Sequence, residues 1–316
     1  MRYKVFGKTG MKVSVMTLGT WGMGGVGWDN YDEATKVDAI KAAFDCGINF
    51  IDTAPAYNNG AAERFLGKTL KQLGIRNELF ISTKCGNFFV DGSTYVRNGH
   101  RDAVIGQVED SLRNIQTDHI DLMLIHWPDV NTPFEETIGA LNDLKRDGKI
   151  LNIGVSNFSK EQIQDAGQYG EIGAFQPQYS MVNRDSEELI RWAASEGMGV
   201  MTYGSLGGGI LTGVHRELKE FAPTDSRNRF YKHFHEPMFS KVQELLKVMD
   251  KVSAENGGMP LSQIALNWSV QKDFVSTCIV GAQTRAKVEE NAAAFDRELD
   301  ASVIATLDAA IAKLDE

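Results

Sequence analysis

Apolar and polar positions follow two patterns that alternate along the chain. Short runs rich in β-branched residues predict strands, and a longer stretch with helical spacing of apolar positions follows each run. Eight such runs predict eight strands, which begin near Val13, Ile48, Leu79, Ile120, Ile150, Gly173, Gly199 and Thr277. Because most of these runs are apolar almost throughout, both faces of each strand are expected to be buried, as in a parallel sheet.

Eight strand–helix units in a chain of 316 residues predict an α/β fold, the (β/α)8 barrel. An open, doubly wound sheet with an added domain is the alternative. No linker rich in proline or serine and no change in composition divides the chain. We therefore expect a single domain over residues 1–316.

Two segments lie outside the eightfold pattern. The first, "YKVFGKTGMKVSV", predicts an N-terminal β-hairpin that turns between Gly7 and Gly10 and closes the bottom of the barrel. The second, residues 205–255, is too long for a plain connection after strand seven. It predicts a long loop and an extra helix from Phe239 to Glu255.

Composition restricts the partners and the compartment. The chain is 42% hydrophobic and 24% charged, as in a soluble globular protein, and its net charge of -9 disfavours nucleic acid or an anionic membrane as main partner. Its three cysteines, Cys46, Cys85 and Cys278, are far apart and form no CxxC motif. We therefore expect free thiols, no metal site and a cytoplasmic protein. No secretory signal or membrane span is visible in the sequence.

The stretch "LGTWGMGGVGW" contains Gly22, Gly24 and Gly27 in the spacing of the dinucleotide fingerprint GxGxxG. In that fingerprint the helix begins within the glycine run, so that its N–H groups point at the pyrophosphate. Here the helical pattern begins only near Glu33, after several acidic residues. We therefore interpret the stretch as a glycine-rich loop at the mouth of the barrel, and Asp52, which lies at the distance of the fingerprint's acid, needs another role.

Polar residues end three consecutive predicted strands, namely Asp52, Lys84 and His126, and Tyr57 follows on a loop that contains Pro55. Taken singly, each of the four residues also has a common structural role: an aspartate in a turn, a solvated lysine, a histidine in the core, or a tyrosine that packs against its neighbours. Barrels place catalysis at the carboxyl ends of their strands, so the four side chains are expected to converge there. Buried together, Lys84 and Asp52 would pair and shift the pKa of a neighbouring phenol.

Seven segments in order resemble the successive motifs of the aldo-keto reductase family: "NFIDTAPAYNNGAAERFLG", "FISTKCG", "DLMLIHWPD", "GKILNIGVSNFS", "FQPQYSMVNR", "TYGSLGGGILTG" and "IVGAQTRAKVEENAAAF". The resemblance runs from about Tyr3 to Phe295. It implies the (β/α)8 barrel, and reversible hydride transfer between a nicotinamide dinucleotide and an aldehyde, ketone or sugar carbonyl or alcohol.

The resemblance also implies the catalytic roles. Tyr57 would be the general acid that protonates the carbonyl oxygen, and Lys84 would lower the pKa of its phenol from about 10. Asp52 would hold Lys84, and His126 would orient the carbonyl.

For the cofactor, the resemblance implies contacts along the whole barrel mouth. Gly19, Thr20 and Trp21 would face the nicotinamide, Asp52 would lie beside it, Ser156, Asn157 and Gln178 would hold the carboxamide, and Tyr203 would stack on the ring. The pyrophosphate would lie on Gly204, Ser205, Leu206, Gly207, Leu211 and Gly213, where glycines let the backbone approach an anion. Glu290 and Asn291 would read the adenine.

The segment that meets a 2′-phosphate departs from the family's common pattern. Gly281 and Ala282 stand where Lys or Ser is frequent, and Lys287 stands where Arg is frequent. Gln283 and Arg285 lie between them. Two cations close together favour NADP(H), while NAD(H) or dual use remains open.

The substrate is a small molecule whose pocket would include Trp21, Tyr57, Asn87, Phe88, His126, Trp127 and Arg227. Two other functions compete. One is a cofactor-binding regulatory subunit with little turnover, resembling channel-associated β subunits. The other is a cofactor-free glycosidase, which needs paired acids and would have only Asp52 and Asp129. The intact set of four catalytic residues favours the reductase. Substrate identity, direction and the choice between monomer and homo-oligomer stay open.

Overall fold

The structure, a computed structural model, describes residues 1–25, 31–90, 94–222, 225 and 227–315. The strands of this part of the chain are β1 (Tyr3–Val5), β2 (Lys12–Ser14), β3 (Met16–Gly19), β4 (Phe50–Asp52), β5 (Phe80–Cys85), β6 (Asn87–Val90), β7 (Thr94–Arg97), β8 (Leu122–Ile125), β9 (Ile153–Ser156), β10 (Ala174–Gln176), β11 (Gly199–Thr202) and β12 (Thr277–Gly281).

Eight of these strands form a closed parallel barrel in the order β3-β4-β5-β8-β9-β10-β11-β12. The ring closes between β12 and β3, where Gly281 pairs with Gly19. Each barrel strand overlaps one of the eight predicted runs, so the predicted (β/α)8 barrel is confirmed. The alternative of an open, doubly wound sheet is wrong.

The helices are α1 (Glu33–Asp45), α2 (Ala61–Leu73), α3 (Arg101–Ile115), α4 (Phe134–Arg146), α5 (Lys160–Ala166), α6 (Glu187–Ser195), α7 (Arg227–Phe230), α8 (Met238–Glu255), α9 (Leu261–Val270), α10 (Arg285–Ala292) and α11 (Ala301–Ala312). Most of them alternate with the barrel strands and cover the ring with their apolar faces. The extra helix predicted after strand seven is confirmed as α8, and it begins one residue earlier than expected. No helix in the described ranges is long and apolar enough to cross a membrane.

The N-terminal hairpin of β1 and β2 closes the bottom of the barrel, as predicted. Phe6, at its turn, is fully buried and meets Phe50 edge to face at 5.6 Å between ring centroids. Gly7 has a φ of +50°, and a Cβ there would overlap the backbone of Gly199. The turn therefore needs glycine in order to sit against β11.

The stretch of glycines after β3 does not form a phosphate-binding helix start. Trp21–Gly24 makes a short 3-10 turn that ends at Gly25 in the left-handed region, and α1 begins later, after its N-cap Asp32. Gly27, the third glycine of the fingerprint, lies outside the described residues. The rejection of a nucleotide-binding fold of the open-sheet type is thus confirmed.

Candidate active site

Side chains on the inner face of the barrel change from apolar to polar along each strand. Residues two apart share a face of a strand. Near the hairpin the inner face is apolar, and its members include Phe50, Leu122, Leu124, Ala174 and Met201. Two or four residues further toward the carboxyl ends come Asp52, His126, Gln176 and Tyr203. The polar site therefore lies at the carboxyl end of the barrel, above a sealed apolar floor.

Asp52 and Lys84 form a buried ion pair in this layer, each with 1% of its surface exposed. Lys84 Nζ donates to Asp52 Oδ2 at 2.7 Å and to the Thr53 carbonyl at 2.8 Å. Asp52 Oδ1 accepts from Ser82 Oγ at 2.8 Å and from Gln176 Nε2 at 2.9 Å. Every charged oxygen has a partner, which is the condition for a buried pair to be tolerated.

The loop after β4 brings Tyr57 to this pair. Lys84 Nζ lies 3.1 Å from Tyr57 Oη. The ring of Trp21 stacks on Tyr57 at 6.1 Å, and the ring of His126 meets it edge-on at 6.4 Å between centroids. The structure thus brings together all four predicted catalytic residues and Trp21.

The pKa of the Tyr57 phenol is shifted in the direction opposite to the prediction. Burial, and next the charge of Asp52, raise the pKa of the Tyr57 phenol well above its ordinary value of 10.0. The expectation that Lys84 lowers this pKa is wrong for the protein alone, because burial and then the charge of Asp52 outweigh the effect of the ammonium. Burial lowers the pKa of Lys84 below its ordinary value, against the influence of Asp52. Burial and then the charge of Lys84 lower the pKa of His126 well below 6.5, so a neutral imidazole faces a protonated phenol.

Two further residues of the cluster escaped the sequence analysis, namely Ser82 and Gln176. Each lies two positions before a residue that was predicted, Lys84 or Gln178, and so shares its inward face. The period-two pattern of strand residues is the signal that would have found them.

The residues predicted to hold a carboxamide lie together beside His126. The Asn157 amide nitrogen is 3.0 Å from both the His126 carbonyl and Ser156 Oγ, and its oxygen accepts from Tyr203 Oη at 2.8 Å. Asn157 has a φ of +61°, unusual for a residue with a side chain. Gln178 joins this group through a strand-like bridge to Tyr203.

The predicted pyrophosphate loop follows β11 and contains five glycines with positive φ: Gly204, Gly207, Gly208, Gly209 and Gly213. The backbone N–H groups of Ser205 and Leu206 donate to no acceptor among the described residues. Leu211 is buried beneath the loop.

His233 holds the glycine loop in place through a hydrogen bond. The sequence does not indicate this role. His233 Nε2 donates to the Gly207 carbonyl at 2.7 Å. Burial lowers the pKa of His233 to about 4, so the ring is a neutral donor at physiological pH. His233 therefore belongs to the support of the glycine loop.

At the predicted adenosine end, Gly281 is exposed, and a Cβ there would find only the Gly19 carbonyl at 4.0 Å. Thr20 Oγ1 donates to the Asp52 carbonyl at 3.0 Å and fixes the neighbouring start of the loop after β3. Gln283 Nε2 donates to the Gly22 carbonyl at 2.6 Å. Among the described residues, only the Gly19 carbonyl therefore comes within 4.0 Å of the space that a side chain at Gly281 would take.

The two predicted phosphate-binding cations have different surroundings. Arg285 donates to both oxygens of Asp38, at 2.9 and 2.6 Å, and to Glu289 at 3.1 Å. Its charge is therefore already balanced by carboxylates on α1 and α10. Lys287 is exposed and lies 3.4 Å from Tyr31 Oη. Further along α10, Glu290 accepts from Ser262 Oγ at 2.8 Å, and Asn291 is buried.

Trp21, Tyr57 and His126, three of the predicted substrate residues, lie in the cluster described above, and the other four lie on three elements around the mouth. Asn87 and Phe88 lie on β6, and Trp127, next to His126, carries the Arg97 guanidinium over its ring at 5.0 Å. Arg227 forms a bidentate pair with Asp225, at 2.9 and 2.6 Å. The carboxylate of Asp225 therefore balances the charge of Arg227.

The second carboxylate of the glycosidase alternative, Asp129, has a structural role. Its oxygens accept from the Gly99 N–H at 2.9 Å and from Thr132 Oγ1 at 2.7 Å, which shapes the loop after β8. Asp52 is occupied by Lys84. The two acids are therefore not the exposed pair that glycoside hydrolysis needs.

Fold and site together define a (β/α)8-barrel oxidoreductase with a Tyr–Lys–Asp–His cluster at the carboxyl end of its strands. The chain belongs to the aldo/keto reductase family, whose model matches residues 15–312. NAD(P)-linked carbonyl reduction is accordingly its class of reaction.

Similar proteins span nearly the whole chain. The aldo-keto reductase YhdN of Bacillus subtilis (strain 168) is 35% identical over 290 residues, covering 92% of this chain and 87% of the relative. The NADH-specific methylglyoxal reductase of Escherichia coli (strain K12) is 33% identical over 309 residues, covering 93% of each. Among solved structures, glycerol dehydrogenase AKR11B4 from Gluconobacter oxydans superposes with a TM-score of 0.89 at 31% identity, covering 98% of this chain and 95% of that one.

Proposed function

We propose that this protein transfers hydride reversibly between a nicotinamide dinucleotide and a small carbonyl compound, with Tyr57 as the general acid and base. One observation carries the proposal. The ammonium of Lys84 lies within hydrogen-bond distance of both the Asp52 carboxylate, at 2.7 Å, and the Tyr57 hydroxyl, at 3.1 Å, at the mouth of the barrel.

In carbonyl reduction, Tyr57 donates its proton to the carbonyl oxygen and becomes a phenolate. The raised pKa of the phenol keeps this proton in place until the oxygen becomes basic. Lys84 then stabilises the new phenolate charge at close range, and Asp52 keeps the ammonium in position. The neutral His126 ring carries one N–H, which donates to the same oxygen and orients it. In alcohol oxidation the same groups act in reverse.

A bound nicotinamide dinucleotide would supply the hydride. The residues present fit it at both ends of the mouth. The free N–H groups of Ser205 and Leu206 suit a pyrophosphate, because successive backbone donors among glycines form an anion-binding nest. Gly281, which has little around it among the described residues, would face the adenosine half, and Glu290 and Asn291 would meet the adenine. Ser156, Asn157 and Gln178 would hold the carboxamide, and Tyr203 and Trp21 would flank the ring.

For the cofactor's 2′ position we propose dual use of NADP(H) and NAD(H). Lys287 is exposed and can meet a 2′-phosphate, which supports the NADP(H) expected from the sequence. Arg285 is held by Asp38 and Glu289 and adds no second free charge. One exposed ion pair is worth at most about 1 kcal/mol, so the two cofactors should bind within about tenfold of each other.

For the substrate we propose an aldehyde, ketone or sugar carbonyl of small size. The names of two similar proteins refer to methylglyoxal and to glycerol, both three-carbon compounds. Trp21, stacked on Tyr57 and touched edge-on by Phe230 at 6.0 Å, gives the mouth an aromatic side. Aromatic rings suit an apolar aldehyde, and they also suit a sugar ring by stacking.

We further propose one domain over residues 1–316 and a cytoplasmic location. The free state of Cys46, Cys85 and Cys278 supports the location, since reduced thiols are typical of that compartment.

The decisive experiment replaces Tyr57 by Phe. In a panel of aldehydes, ketones and sugars with both cofactors, Tyr57→Phe should lower kcat by about 100-fold or more, because general acid catalysis contributes that much. Fluorescence titration should show NADPH and NADH binding as in the wild type. Tyr169→Phe, at a partly exposed tyrosine far along the chain, is the control.

Two results would contradict the proposal. Undiminished turnover of Tyr57→Phe would remove the tyrosine from the mechanism. Cofactor binding by the wild type without turnover of any carbonyl would favour the regulatory subunit instead.

A further inference from the structure

The turn that presents Tyr57 has an unusual backbone. The three residues after Tyr57, namely Asn58, Asn59 and Gly60, all have positive φ, at 54°, 48° and 74°. Two of them carry side chains, for which this region is unfavourable. Such a run persists only where the surroundings hold it in place, and it is found most often at functional sites.

One tether acts on the residue after Tyr57. The Asn58 side-chain nitrogen donates to the Gly24 carbonyl at 2.7 Å. The approach is close enough that a Cβ on Gly24 would lie 3.2 Å from the Tyr57 carbonyl oxygen and 3.4 Å from the Asn58 Cβ. Gly24 therefore lets the Tyr57 loop lie directly against the glycine turn that follows β3.

A second tether acts on the residue before Tyr57. Tyr95, on the β6–β7 hairpin, donates its hydroxyl to the Ala56 carbonyl at 2.8 Å. Its ring is packed on Phe89 at 4.1 Å between centroids, which fixes the direction of the hydroxyl. Tyr57 thus lies between two side-chain hydrogen bonds that come from opposite neighbours in the chain.

The glycine turn is itself anchored on its far side. Gln283, in the loop after β12, donates to the Gly22 carbonyl at 2.6 Å, and Trp21 stacks on the Tyr57 ring. The turn Trp21–Gly24 therefore connects the barrel rim at β12 with the Tyr57 loop.

We propose that Asn58 and Tyr95 are positioning residues that hold the Tyr57 hydroxyl at its distance from Lys84. This rests on the proposed function, in which Tyr57 exchanges a proton with the substrate. The glycine turn after β3 then supports the loop that carries Tyr57, since the carbonyls of the turn accept hydrogen bonds from Asn58 and Gln283.

The test compares two neighbouring asparagines. Asn58→Gly keeps a residue that tolerates positive φ and removes only the amide tether. Asn59→Gly is the matched control, because Asn59 is also left-handed but is exposed and makes no side-chain hydrogen bond within the described residues. Tyr95→Phe removes the second tether with minimal change of shape.

Each variant is measured in three ways: kcat and KM with the best carbonyl substrate, the Kd of NADPH and NADH, and the 13C NMR resonance of the tyrosine Cζ atoms. The resonance of Tyr57 is the one that Tyr57→Phe lacks. We expect Asn58→Gly and Tyr95→Phe to lower kcat by about 10- to 100-fold, since a misplacement of about 1 Å has such an effect. Cofactor Kd should change less than about twofold, which is well within 1 kcal/mol. The Tyr57 resonance should shift or broaden in both variants and stay unchanged in Asn59→Gly.

Unchanged kcat and an unchanged Tyr57 resonance in both tether variants would overturn the proposal, as would equal losses in Asn59→Gly. If Asn58→Gly does not fold, Tyr95→Phe decides alone. If the wild type turns over no substrate, the proposed function fails, while the resonance still shows whether the tethers position Tyr57.

Discussion

Lys84 is almost completely buried, and its ammonium has a carboxylate, a carbonyl and a phenol within reach. Because Asp52 neutralises it in the resting protein, the lysine does not ionise the tyrosine beforehand. Its charge instead becomes useful when the phenol gives up its proton. The pair is thus arranged to stabilise a charge that develops during the reaction.

At the residue scale we predict that Tyr57 stays protonated well into the alkaline range. Burial raises the pKa of its phenol above 10.0, so in the cofactor-free protein its phenolate should form only above that pH. The check is the ultraviolet difference titration of the wild type against Tyr57→Phe. A phenolate from Tyr57 with a midpoint below 10 would show that Lys84 dominates over burial and Asp52.

The role of a residue could be predicted where the pattern of a strand places its side chain on the inner face, at the carboxyl end of the barrel. Asp52, Lys84 and His126 end inward-facing rows, so their convergence follows from the barrel. Arg285 is a different case, because its partner Asp38 is 247 positions away in the sequence. Whether a cation meets a carboxylate from another helix or stays free depends on tertiary distances.

Among the elements, the N-terminal hairpin contributes to the barrel floor through buried side chains of its turn and of β2. Phe6 fills the bottom of the barrel against Phe50, Leu122 and Leu124. Exposed Val5, next to it, has 65% of its surface in solvent. The hairpin therefore closes the barrel floor with its buried side chains, of which Phe6 is the largest.

We predict that Phe6→Ala destabilises the protein by about 3–5 kcal/mol, because it opens a cavity in the barrel floor. Val5→Ala should change the stability by less than about 0.5 kcal/mol, as is typical of an exposed position. Denaturant unfolding monitored by far-ultraviolet circular dichroism measures both. Equal midpoints for the two variants would mean that the hairpin is not part of the barrel core.

Some elements could not be predicted from the sequence. The sequence indicates only that Asn87 and Phe88 belong to the pocket, and it does not predict the β6–β7 hairpin. The residues of β7 are all exposed, so this strand lacks the alternation of apolar and polar residues that predicts a half-buried strand. The hairpin is nevertheless the element that carries Tyr95 to the Tyr57 loop. Its position depends on contacts with the barrel rim rather than on its own apolar pattern.

On the scale of the whole molecule, the partly buried His126 and the buried His233 make the fold sensitive to acid. Burial lowers the pKa of His126 well below 6.5 and that of His233 to about 4. Between these values and 6.5 the unfolded chain binds more protons than the folded one. The free energy of unfolding contributed by these groups is therefore complete above pH 6.5 and falls as the pH drops.

We predict that thermal stability falls between about pH 7 and about pH 5, and that His233→Asn makes this fall shallower by about 2 kcal/mol. His235→Asn is the control, since His235 is exposed two residues further along the same segment. Melting temperatures of the three proteins across this range are the measurement. The same pH dependence in all three would remove His233 as a source of the acid sensitivity.

The sequence by itself determined the barrel and the place of the site. Strand and helix periods report which faces are buried, and an inward row that changes from Phe50 to Asp52 already says where the apolar floor ends and the polar site begins. Only the tertiary structure decided the partners: Arg285 with Asp38, Tyr95 with Ala56, Asn58 with Gly24. The physical reason is that the local spacing of apolar residues already shows which face of an element is buried. A hydrogen bond or ion pair instead requires that two groups, often far apart in the chain, lie about 3 Å from each other, and only the complete fold fixes that distance.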